Sequence, residues 1–179
     1  AVDKEKFLNA VNTVYRASKN DTTYGDSFIC NDELVEQHAL ASNDIMCDTM
    51  HDGSGFYPHH MALTMAFENS LRAVDPSVTL HYWDFTQEGQ AIYDNDKDAT
   101  YMREVSHILT DEWFGDTDMT THRIQNSKFA HLAAPKTSAS SAVAPNSFGF
   151  TRSYWNNNPD SEVSRAPFSF AGQGVITNK

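Results

Sequence analysis

The chain has 179 residues, with 24 Asp and Glu against 13 Lys and Arg and a formal net charge of −11. That length suits one domain with a real core rather than two, and the acidity argues against nucleic acid and anionic membrane surfaces as partners. Hydrophobic residues at 40% and charged residues at 21% exclude wholesale disorder, and no apolar run approaches the roughly 20 residues that span a bilayer.

The chain opens Ala1-Val2-Asp3 without an initiator Met, as a processed mature N-terminus would, or an arbitrary boundary. Residues 3–18 place Phe7, Leu8, Val11, Val14 and Tyr15 on one helical face, with Asp3 as N-cap. Residues 20–29 read as a loop, and a second helix is expected from about Asp32 to Ala41, with Leu34, Val35 and His38 on a common face. Residues 42–58, rich in Asn, Asp, Gly and Ser, return to loop.

A third helix starts near Pro58, a residue suited to the first helical position, and ends at Asp75-Pro76, because the residue before a proline disfavours helix. Its inward face carries His60, Leu63, Thr64, Phe67 and Leu71. A short extended piece, Val78 to Trp83, follows. A fourth helical segment fits 98–109, capped by Asp98, with Met102, Val105, Ile108 and Leu109 inward. Residues 133–147 read as a surface loop, and the tail from Phe148 is aromatic without helical period. The expected organisation is a helical part over 1–110 and an irregular, loop-rich extension over 111–179 that lacks a core of its own.

Two cysteines, Cys30 and Cys47, would close a loop around His38 if the chain is exported and they pair. The triplet Asn20-Asp21-Thr22 is a potential glycosylation site and weak support for export.

His38, His51, His59 and His60 lie close together in sequence. Isolated histidines are more often core or surface residues than ligands, but imidazoles bind copper, zinc, iron and nickel, and three of them leave positions open for an exogenous ligand. A mid-helix His38, a loop His51 and a helix-opening His60 can converge on one ion. His59 is turned by about 100° from His60 and cannot aim equally well at the same metal.

The surroundings of these histidines resemble the first copper half-site of the type 3 copper proteins, the tyrosinases, catechol oxidases and haemocyanins. That pattern runs through a helical His, a loop His, Phe-x-x-Trp-His at a helix start, Phe-Glu, Leu and Pro-Tyr-Trp-Asp. Here it is met by His38, His51, Phe56, His60, Phe67-Glu68, Leu71 and Tyr82-Trp83-Asp84. The likeness is dense from about 34 to 85 and weaker over 103–131. It implies His38, His51 and His60 as ligands of one copper, with Phe56 and Phe67 packed around them. Glu68 lies two turns beyond His60, about 12 Å along the axis; it is expected to make a structural hydrogen bond or ion pair. Trp83 and Asp84 are expected to fix the turn after the third helix.

Three departures stand out. His59-His60-Met61 replaces Trp-His-Arg, and His81 replaces the proline before Tyr-Trp-Asp. Cys47 sits four residues before His51 rather than the two usual for a thioether, so a disulfide to Cys30 is the expectation.

The family centre holds two coppers, the second on a His-x3-His pair, which puts both imidazoles on one helical face, and a third histidine. After residue 85 only His107, His122 and His131 remain, none four residues from another. Three explanations follow: the other ligands lie on a second polypeptide or segment, which is preferred; the domain is degenerate; or these three histidines form an unorthodox second site. The fold expected is mainly α, two helices of a tyrosinase-like four-helix bundle with long loops and the second copper half absent. The function implied is copper-dependent oxidation of phenols or catechols to o-quinones with dioxygen, in an exported protein. The alternatives are haemocyanin-like oxygen binding and a non-catalytic structural or interaction subunit.

Overall fold

The computed structural model describes residues 2–42, 48–51, 53–97, 101–118, 120–134 and 162–163. The fold is mainly α: α1 (Val2–Arg16), α2 (Asn31–Ala41), α3 (Phe56–Val74), α4 (Thr86–Asp94) and α5 (Met102–Val105), with 3-10 turns at Gly53–Gly55 and His107–Leu109. No strand forms among the described residues, which hold an isolated bridge between Thr117 and Ile124. Among them no helix is long and apolar enough to cross a membrane. Contacts divide the chain into two units, Ala1–Leu80 with Ala133–Ser161 and His81–Leu132 with Glu162–Lys179.

In the first unit α1 packs on both α2 and α3, which also pack on each other. Its buried stripe is Phe7, Leu8, Val11 and Val14, with Ala10 added, while Tyr15 stays partly exposed. Each fully buried Leu or Val contributes about 1.5–3 kcal/mol relative to exposure; Leu8 and Val14 on α1 and Leu71 on α3 are buried in this way, and Leu34 buries the matching face of α2. Asp3 lies inside the first turn of α1 rather than before it, where its charge still favours the helix N-terminus.

The loop before α2 is held by four ties. Phe28 is buried with its ring 4.8 Å from Tyr24. The Cys30 amide donates to Glu33 Oε2 at 3.2 Å, and Lys19 Nζ reaches Glu36 at 2.6 Å. Buried Ser70 on α3 accepts a hydrogen bond from the Ile29 amide at 2.9 Å and donates to the Ala66 carbonyl at 3.0 Å. Cys30 itself is buried. The expected disulfide involves Cys47, which lies outside the described residues.

Helix α3 begins at Phe56, two residues earlier than expected, so Pro58 is the third helical residue. The first turn's amides have no intrahelical acceptor, so the missing N–H costs nothing there. The helix stops where expected: Asp75 is extended, at φ −142° and ψ 107°, as a following proline requires.

In the second unit α4 forms where no helix was expected. Asp84 accepts hydrogen bonds from the side chains of Thr86 and Gln87 at its start, and Trp83 Nε1 donates to Glu88 Oε1 at 3.1 Å. The helix expected over 98–109 is instead the short α5 and a 3-10 turn, its first three residues lying outside the described ones. The break falls at buried Ser106, extended at ψ 116°, whose Oγ donates to Glu88 Oε1 at 2.9 Å. A tertiary hydrogen bond there replaces helix continuation. Further on, Ile124, Phe129 and Leu132 are buried and Phe114 stacks on Phe129 at 5.2 Å, so the stretch expected to lack a core has a small one. The surface loop 133–147 and the tail from Phe148 lie almost wholly outside the described residues.

Candidate metal centre

Three separate pieces of backbone deliver three imidazoles. His38 comes from the last two turns of α2, His51 from the loop between α2 and α3, and His60 from the first turns of α3. Their ring centroids lie 5.0 Å (His38–His51), 5.5 Å (His38–His60) and 5.8 Å (His51–His60) apart. One ligand nitrogen from each falls within 4.8 Å of the others. His38 and His60 are half-buried and His51 is exposed, so the cluster opens to solvent on one side.

Two of the rings are oriented by a hydrogen bond on Nδ1. His51 Nδ1 donates to Asp48 Oδ2 at 2.7 Å, and His60 Nδ1 donates to the Phe56 carbonyl at 2.8 Å. Each ring therefore keeps Nε2 as its free lone pair. Asp48 also accepts from the amides of Met50 and His51, both at 2.9 Å, which folds the loop around its carboxylate. Burial alone would raise the Asp48 carboxyl, but these hydrogen bonds outweigh it and hold the group below its usual range. Burial, then the nearness of His51 and His60, pushes His38 below the usual imidazole value, which favours the neutral form a metal needs.

The donor set fits a metal ion. Three imidazole nitrogens within 4.8 Å of one another are close enough to share one ion bound about 2.0–2.1 Å from each. The carboxylate on His51 Nδ1 and the backbone carbonyl on His60 Nδ1 match the outer-shell pattern of metal-binding histidines.

The Phe56 ring lies 4.6 Å from that of His60. Phe67 lines, with Leu34, Val35 and His38, an open groove of about 400 Å³ along α2 and α3. Glu68 Oε1 accepts from the Leu80 amide at 3.4 Å, tying the segment after α3 back to it. Trp83 and Asp84 hold the entry to α4 described above. His59 turns away from the cluster, its Nδ1 donating to the Thr49 carbonyl at 2.6 Å. His107, His122 and His131 form no such group, the trio above being what the described residues hold. His131 Nδ1 faces Glu162 at 3.1 Å instead. Asp48 escaped the sequence reading, although an acid three residues before a candidate ligand was a usable signal.

The chain matches the family model for tyrosinase, described as the common central domain of tyrosinase, over residues 29–178. It belongs to the tyrosinase family. A 38-residue stretch is also 47% identical to grixazone synthase of Streptomyces griseus subsp. griseus. That match spans 21% of this chain and 12% of the relative. At family level the domain is that of a copper oxidoreductase, and copper is the metal the family implies for the three-histidine group.

Proposed function

We propose that this chain supplies one copper site, on His38, His51 and His60, of an enzyme that oxidises phenols or catechols to o-quinones with dioxygen. The observation that carries the reading is the convergence of these three imidazoles, two with Nδ1 already engaged, inside a tyrosinase-family domain. When bound, each copper would carry one electron, so that a pair of them matches the two-electron oxidation of a catechol to its o-quinone. The chain's own residues hold and orient: Asp48 and the Phe56 carbonyl keep a proton on Nδ1 of His51 and His60, so both present Nε2 lone pairs. No side chain here is assigned an acid–base role.

The ligands of the second copper come, in this proposal, from a second polypeptide or further segment. The groove along α2 and α3 supports this, since two helices of a four-helix bundle leave apolar faces for two more. Residues 111–179 would pack on that same missing half. Export is part of the proposal, supported by the exposed Asn20, in a left-handed turn at φ 62°, of the glycosylation triplet.

The test is oxygen uptake and quinone absorbance with catechol on native material, before and after separating any co-purifying polypeptide. Quinone formation that needs both components supports the reading. Loaded material that binds oxygen reversibly without consuming catechol would contradict it and favour a carrier.

A further inference from the structure

Of the four clustered histidines, His59 is the one the site does not use, yet its contacts run to the piece of backbone that needs most help. His38 and His60 ride on helices. His51 rides on a loop, and its position depends on what ties residues 48–51 down.

Thr49 is the crossing point of those ties. Its amide and its Oγ1 both donate to the Ala41 carbonyl at the end of α2, at 3.2 and 3.1 Å. Its own carbonyl accepts from His59 Nδ1, at 2.6 Å, at the start of α3. One residue thus joins the two ligand-bearing helices, two positions before His51. Gly55 completes the clasp. A Cβ built there would lie 2.8 Å from the Thr49 carbonyl oxygen and 3.2 Å from two atoms of the His59 ring. The backbone carbonyl is therefore held between the glycine and the imidazole, with no room for a side chain.

We propose that His59 is a positioning residue of the metal centre: its Nδ1–H clamps the Thr49 carbonyl and so fixes the His51 loop against the helix that carries His60. The bond needs a proton on Nδ1, which the Nδ1–H tautomer supplies. Asn places an amide N–H close to where His places Nδ1, and Phe keeps a ring without a donor.

This inference rests on the three-histidine group being the metal site, and the test separates the two. Cu(II) is titrated into the full chain and its His59→Phe, His59→Asn and Gly55→Ala variants, with the copper spectrum recorded. Backbone amide exchange at Met50 and His51 is measured on each metal-free form. The expected result is a loss of about three- to tenfold in Cu(II) affinity for H59F, recovery in H59N, and a loss in G55A. Exchange at Met50 and His51 should speed up in H59F and G55A but not in H59N. An H59F chain with parental affinity, spectrum and exchange overturns the clamp. Loss in both H59F and H59N also overturns it, because it marks His59 as a ligand or a packing group. If the parent chain binds no copper, the metal-site reading fails, and the exchange rates still decide whether His59 holds the loop.

Discussion

Nδ1 of His51 donates to the carboxylate of Asp48 at 2.7 Å, and the other oxygen of that carboxylate takes the amides of Met50 and His51. One side chain thus folds the ligand loop and selects the ring nitrogen the loop presents. The Asp48→Asn variant keeps an acceptor for the amides but loses the charged partner of Nδ1. Cu(II) affinity is expected to fall by about 10–100-fold with the helical circular dichroism unchanged. Competition titration against a chelator of known affinity checks this.

His38 gives a pH dependence whose sign is fixed. Its folded value is pushed down, by burial and then by His51 and His60, from an unfolded value near 6.5. Between the two values the unfolded chain binds more protons. The stability associated with neutral His38 is therefore complete above about 6.5 and is lost as pH falls through the lowered folded value. A proton NMR titration of the metal-free chain should give His38 a midpoint below about 6.5, with the melting temperature falling over the same window.

Ser70 tests the packing that sets the two ligand helices. It is fully buried and satisfies the Ile29 amide at 2.9 Å just before α2. Ser70→Ala leaves that amide without its acceptor, for an expected loss of about 1–3 kcal/mol in denaturant unfolding.

Much of the site was legible because helical spacing and a loop histidine are local facts. The eight-residue gap from His51 to His60, and Leu34, Val35 and His38 on one face, needed no knowledge of tertiary contacts. The segment 98–109 misled because helical periodicity continued through Ser106, while the structure spends that residue on a hydrogen bond to Glu88. Helix α4 was missed because it is short and contains Gly89, a poor helix former, and none of its residues is buried. The start of α3 shifted because Pro58 is tolerated anywhere in a first turn, not at its first position alone.

Gly115 is the point in the second unit where sequence allows least. It sits at φ +92°, and a Cβ there would lie 2.3 Å from Ile124 Cγ2 and 2.4 Å from Ser127 Oγ. Gly115→Ala should cost about 1–3 kcal/mol from backbone conformation and overpacking together. Thermal unfolding monitored by the nearby Trp113 fluorescence reports it.

The most direct measurement is copper bound per chain in the isolated polypeptide, alongside His38→Ala, His51→Ala and His60→Ala. One copper in the parent, lost in each variant, is the expected result. No copper in the parent, or copper retained in all three variants, would contradict the assignment of this cluster as the metal centre.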